Sequence, residues 1–268
     1  MSRFLTSAVS ALRRGADAVS LPKTFGANGY CAEWKSNLAS GLPMAEIESD
    51  LRSGAGQELT SNFRAAHSSS ALAVNTFGWW RDQPETFPFQ QCQGTSMRFE
   101  VACASGLKGT PPHLDVLAKG RDIVAIESKC TEWISRKRAN FVDSYEVLGQ
   151  RWHGSPWVDL MHLAIARPDH FRHLDVAQLT KHAFGLMHSF PNQRVTLVYL
   201  FWEPVNASSW TESDIHRNEI ATFLELVHGG GIQVVAQSYP ELWTQGVLSS
   251  LPSSLCDYLQ SRYLCEAT

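Results

Sequence analysis

The sequence predicts a single α/β domain with a central mixed β-sheet flanked by helices, and three observations carry that prediction. Three short, partly β-branched segments lie at residues 97–104, 113–118 and 123–129. Gly106, Gly109, Pro111-Pro112 and Gly120 separate them, as a three-strand meander requires. A continuous apolar run, Val195-Thr-Leu-Val-Tyr-Leu-Phe201, has the composition of a strand buried on both faces. Helical stretches fill the remainder, giving the order helices, three strands, helices, strand, helix, strand, helix.

Taken along the chain, Phe4, Leu5, Val9 and Leu12 recur at helical spacing and predict an amphipathic first helix. Arg3, Arg13 and Arg14, with no acid before Asp17, overlap the composition of an organelle transit peptide, but the helix is the reading preferred. Residues 36–60 read as loops around one short helix at 44–51, with turn signals at Ser40-Gly41 and at 54–56. Residues 1–60 are therefore expected to form a helical and loop extension ahead of a globular unit at 61–268. Ser68-Ser69-Ser70 precedes good helix formers, and its hydroxyls can cap the first amides of a helix. After the meander, 136–148, 157–166 and a longer 171–190 look helical. A helix at 215–228 stops at Gly229-Gly230-Gly231, and 232–236 forms the last strand.

Composition narrows the function classes. Of 268 residues 44% are apolar and 18% charged, a globular balance, and no run approaches the ~18 apolar residues of a membrane span. A formal charge of −3 excludes a bulk polycation, so contact with nucleic acid must come from a local patch. Residues 129–194 hold nine Lys/Arg against six Asp/Glu, densest at Arg136-Lys137-Arg138, whereas 195–268 hold two against eight. The six cysteines include no Cys-x-x-Cys pair, which argues against a disulfide framework or a structural zinc site and for reduced thiols in a cytoplasmic protein. Gly-x-Ser-x-Gly, His-Glu-x-x-His and the phosphate-binding Gly-x-x-x-x-Gly-Lys are absent from the sequence.

The chemistry concentrates in Pro112-His-Leu-Asp115 and Glu127-Ser128-Lys129. Residues i and i+2 of a strand share a face, so Glu127 and Lys129 point one way and Ser128 the other. Buried strands rarely carry such a pair, because desolvating charge is expensive. If Gly120-Arg121-Asp122 form the loop, Lys119 pairs with Ile123 and Asp115 comes opposite Glu127, on the same face. A two-residue turn would send Asp115 to the other side. Two neighbouring carboxylates call for a hard divalent cation, and Mg²⁺ accepts one or two carboxylates plus water and phosphate oxygens. Lys129 can then orient a water and offset charge developing on phosphorus. A second Glu-x-Lys, Glu33-Trp34-Lys35, has neither strand flanks nor an upstream Asp in hairpin position and reads as accidental.

This constellation resembles the PD-(D/E)XK nuclease superfamily, with its restriction-endonuclease-like fold. Ser69-Ser70-Ala-Leu-Ala-Val-Asn75, Phe99-Glu100 and Pro112-His-Leu-Asp115-Val-Leu are similar to a bacterial branch of restriction endonucleases, over roughly residues 68–243. His-Leu-Asp stands where the superfamily nominally has Pro-Asp. The resemblance implies Mg²⁺-dependent DNA cleavage, with Mn²⁺ tolerated, Asp115 and Glu127 as metal ligands and Lys129 as the third catalytic residue. It further implies Gln178, then Lys181, on the helix beside the site, and Glu100 as an extra acid. Arg136, Lys137 and Arg138 are the candidate DNA contacts. Whether two copies pair as a homodimer to cut both strands stays open. The rival reading is a catalytically silent DNA-binding or protein-interaction module that keeps the fold.

Overall fold

Five strands form one sheet in the order β1-β2-β3-β4-β5. The computed structural model describes residues 2–54, 59, 61–89, 92 and 94–268; the turn expected at 54–56 lies, apart from Gly54, outside them. The meander is β1 (Ser96–Ala102), β2 (His113–Lys119) and β3 (Ile123–Lys129), paired antiparallel. The apolar run is β4 (Val195–Phe201), parallel to β3 and buried at every residue, and β5 (Gln233–Ser238) is parallel to β4. The sheet is therefore mixed, as expected. β4 takes a middle position because helices cover both faces, which is why its sequence shows no alternation.

α1 (Arg3–Val19) is capped by the Ser2 hydroxyl, and α2 (Met44–Ser53) packs against β1. α3 (Ser69–Phe77) starts where the serine run predicts, with the Ser68 hydroxyl accepting from the Ala71 amide. Then follow α4 (Glu146–Arg151), α5 (Pro156–Ala166), α6 (Val176–Ser189) and α7 (Thr211–Leu226). α8 (Tyr239–Leu242) and α9 (Ser253–Tyr263) complete the chain, and α9 lies along α1. Gly15 makes that approach close, since a Cβ there would lie 2.0 Å from the Arg262 carbonyl oxygen. Phe4 and Leu12 of α1, Ile47 and Leu51 of α2, and β3 and β4 share one apolar core, so the N-terminal stretch is packed into the body of the fold.

Two helical expectations need correction. Residues 136–142 are not helical; the Lys137 amide donates to the Arg172 carbonyl (2.7 Å) and the Ala139 amide to that of Pro168 (2.9 Å). Pairing with the 168–172 loop supplies backbone partners that a helix would otherwise provide, and helix begins only at α4. Likewise α6 starts at Val176 rather than 171. The amides of Arg172, His173 and Leu174 all donate to the Glu219 carboxylate on α7 (2.7–2.9 Å), and Asp175 then caps the helix through the Gln178 amide.

Candidate active site

The β2–β3 connection sets the geometry. Lys119 pairs with Ile123 across Gly120-Arg121-Asp122, and the last ladder pair is Val116 with Ile126. One step beyond, Asp115 and Glu127 stand opposite each other, and the Ser128 amide donates to Asp115 Oδ2 at 2.7 Å. Strand alternation sends Ser128 to the other face. Its hydroxyl donates to the Ser69 carbonyl (3.1 Å) and shares a hydrogen bond with the Tyr239 hydroxyl (2.7 Å). Glu127 and Lys129 point together and form an ion pair. A cavity of about 490 Å³ lies over them, lined by Asp115, Glu127 and Lys129 and also by Glu100, Glu132 and Gln178.

Both oxygens of the Glu127 carboxylate, 1% exposed, are engaged. Oε1 accepts from Lys129 Nζ, and Oε2 meets Nε2 of His182 at 2.7 Å, a ring that is itself wholly buried. Burial alone would raise the Glu127 carboxyl, but Lys129 and His182 outweigh it and hold the group down at about 2. Lys129 is desolvated too, yet Glu127, Asp115 and Glu132 keep its ammonium protonated above the ordinary lysine value. Asp115 shifts the other way. Burial and then the charges of Glu127 and Glu100 push its carboxyl well up, only partly relieved by Lys129 and the Ser128 amide. The site is thus an anionic cluster with one firmly charged ammonium.

Glu100 joins through an unusual backbone. Phe99 pairs with Val116 and Val101 with Leu114, so Glu100 falls opposite Asp115, with φ at 51° inside a strand. A left-handed non-glycine residue costs of order 1–3 kcal/mol, and such residues concentrate at functional sites. Gly54 accommodates it, for a Cβ there would come within 2.8 Å of Glu100 Cβ. The Ser70 hydroxyl donates to its carboxylate at 3.4 Å.

The remaining sequence candidates divide. Gln178 lines the cavity from the first turn of α6. Lys181, on the same helix, does not line it: Nζ lies over the rings of Phe141 (5.2 Å) and Tyr145 (5.6 Å) and donates to the Asn140 carbonyl at 2.8 Å. Arg136, Lys137 and Arg138 are exposed on the extended segment after β3, outside the cavity lining. Asn75 is structural: its side chain accepts from the Ala39 amide and donates to the Asn37 carbonyl and the Tyr263 hydroxyl. In the second Glu-x-Lys, Lys35 pairs with Glu48 at 2.7 Å, away from the cavity. Sequence reasoning missed the contact of His182 with Glu127. The available signal was its position four residues after Gln178, on the same helical face.

Among the described residues no group of three or more His, Cys, Asp or Glu is disposed to hold a metal ion. What the cavity offers is a pair of carboxylates from adjacent strands, hard oxygen donors with mutual repulsion that a cation would relieve. That donor set suits Mg²⁺, which keeps several waters and takes one or two carboxylates, rather than an ion needing a full protein cage.

No helix among the described residues is long and apolar enough to cross a membrane. Neither a curated protein nor a solved structure matches the chain. One family model does, described as "Restriction Endonuclease associating with ARP", and it matches residues 7–264. The match spans both the meander with its carboxylates and nearly all of the N-terminal stretch. The chain belongs to this family of restriction endonucleases associating with ARP.

Proposed function

We propose that the protein is a Mg²⁺-dependent endonuclease of the PD-(D/E)XK type that hydrolyses DNA phosphodiester bonds, in a restriction or defence role. The observation that carries this reading is the hairpin register, which brings Asp115, Glu127 and Lys129 to one cavity. Membership of a restriction-endonuclease family supports it. Asp115 and Glu127 would hold the cation; when bound, Mg²⁺ supplies Lewis-acid polarisation of the phosphate. Lys129, whose ammonium the surrounding carboxylates favour, offsets negative charge developing on phosphorus. His182 fixes the rotamer of Glu127 from behind. Gln178 offers an amide that can donate to a phosphate oxygen or a water. The exposed Arg136, Lys137 and Arg138 would meet flanking phosphates. Mn²⁺ would substitute as another oxygen-preferring ion.

The test is nicking of supercoiled plasmid by purified protein in Mg²⁺ and in EDTA. Mg²⁺-dependent nicking that is lost in Lys129→Ala and in Glu127→Ala is expected; cleavage surviving in both variants, or none from the wild type, overturns the assignment. A second reading, a silent DNA-binding or interaction module, is favoured by one observation: Lys129 and His182 already occupy both Glu127 oxygens. Calorimetric titration with Mg²⁺ separates the two. The nuclease binds the ion and loses it in Asp115→Asn, whereas the silent module binds none.

A further inference from the structure

Beyond the carboxylates, the cavity has a part of its wall whose chemistry the nuclease assignment leaves unused. Tyr30, Asn62 and His67 line it together with Ser68 and Ser69 at the start of α3. The phenol and imidazole rings meet nearly at right angles, 84° between planes with centroids 6.3 Å apart. Among the described residues His67 Nδ1 is buried with no hydrogen-bond partner, and burial lowers the proton affinity of the ring.

Two backbone hydrogen bonds and one from a side chain brace this wall. The Ala66 amide donates to the Gly29 carbonyl at 2.9 Å, the Cys31 amide to that of Arg64 at 3.0 Å, and Arg64 Nε to the Cys31 carbonyl at 2.7 Å. Its shape is therefore set before any ligand arrives, which limits the ordering entropy lost on binding.

Resting on the nuclease reading, we propose that the cavity receives one unpaired DNA nucleotide, its base against the Tyr30–His67–Asn62 wall and its phosphate at Asp115, Glu127 and Lys129. Three features point this way. The volume, about 490 Å³, lies in the range of small-molecule pockets (~300–1,000 Å³). The wall pairs an aromatic ring with an amide and an imidazole, the kinds of group that stack on and read an unstacked base. Lastly, among the described lining residues Lys129 is the one Lys or Arg, beside four carboxylates, so the cavity itself offers a cation to a single phosphate and leaves flanking phosphates to Arg136, Lys137 and Arg138 outside it. Paired bases stay stacked inside a duplex; a base in a single strand, at a bulge or flipped out can enter.

The experiment compares binding, by fluorescence anisotropy in Ca²⁺, of a labelled single strand, the blunt duplex containing it, and that duplex with one nucleotide left unpaired. Gels confirm that the DNA stays intact. The single strand and the bulged duplex are expected to bind about tenfold or more tightly than the blunt duplex. Tyr30→Ala should erase the preference while Tyr30→Phe keeps it, both with unchanged thermal unfolding. Equal affinity for all three DNAs, a preference untouched in Tyr30→Ala, or no binding to any of them overturns the proposal. If Tyr30→Ala unfolds, the wild-type comparison and Tyr30→Phe still decide. Failure is distinguishable from failure of the nuclease reading, since plasmid nicking that needs Lys129 can persist without any strand preference, and the preference can appear without nicking.

Discussion

Replacing Lys129 by Met should be among the most costly single changes to the stability of this protein, and the contacts of Glu127 say why. The Lys129 side chain is 14% exposed and that of Glu127 1%. Removing the ammonium leaves the buried Glu127 beside the half-buried Asp115, with His182 still bonded to Glu127. Breaking such a buried pair costs ~3–5 kcal/mol, because one charge is left uncompensated. Asp115, whose carboxyl is already pushed up, can take a proton and hold the loss within that range. Glu127→Gln is milder, ~1–3 kcal/mol, since the ammonium retains Asp115 and Glu132 as charged neighbours. The double variant removes both partners and should lose ~2–4 kcal/mol, less than the sum of the singles. Urea unfolding of the four proteins gives the coupling, expected at about 2 kcal/mol or more; thermal unfolding of Lys129→Met should fall by roughly 10 °C. Additivity within ~0.5 kcal/mol would show that Lys129 and Glu127 do not share one electrostatic unit and would remove the basis for reading them as a site.

Three further outcomes follow from other parts of the molecule. His216 stacks on Trp133 with centroids 4.4 Å apart and bonds the Tyr199 hydroxyl at 2.9 Å. Burial, then His173 and Arg217, keep its folded pKa well below the ordinary value. The unfolded chain therefore binds a proton that the folded one refuses, and stability should fall as pH drops below ~6.5, by up to ~1.4 kcal/mol per unit; His216→Phe should reduce that slope by one proton in urea melts at stepped pH. Gly15→Ala should destabilise by ~1–3 kcal/mol or more in the same melts, because its Cβ would meet the Arg262 backbone of α9. All six cysteines are free thiols, and in thiol-reagent kinetics the half-buried Cys256 should react before the buried Cys31, Cys92, Cys103 and Cys130. Cys92, with its pKa raised to about 11, and Cys103, raised to about 12, both by burial, should be slow even at mildly alkaline pH.

The convergence of Asp115, Glu127 and Lys129 was legible in the sequence because it depends on local quantities. Strand alternation and the parity of a three-residue loop decide which side chains share a face, and neither needs knowledge of distant packing. β3 and β4 were legible to the residue for a related reason: a strand buried on both faces is a short apolar run ended by polar residues. The segment 136–142 failed because its backbone partners, the carbonyls of Pro168 and Arg172, come from a loop some thirty residues away. No periodicity in the segment itself encodes that pairing. The start of α6 was misjudged for the same cause, as Glu219 collects three amides from a helix still further along.

His182 and Glu100 show a different limit. His182 sat in view on the polar side of α6, yet its contact with Glu127 depends on where that helix lies over the sheet. A polar helical face against a buried carboxylate looks, in one dimension, like a face turned to water. The position of Glu100 opposite Asp115 follows from strand pairing, but its left-handed backbone does not, since only the approach of Gly54 and the hydroxyl of Ser70 explain how it is held. Gly54 ends α2 and Ser70 lies in α3, both ahead of the meander in the chain, as are Tyr30 and His67 in the cavity wall. The carboxylates of Asp115 and Glu127 are set by hairpin parity, whereas the chamber around them also draws on Tyr30, Asn62, His67 and the serines that open α3. For that reason the grouping of the carboxylates could be read from a dozen residues, while the shape of the chamber needed the tertiary structure.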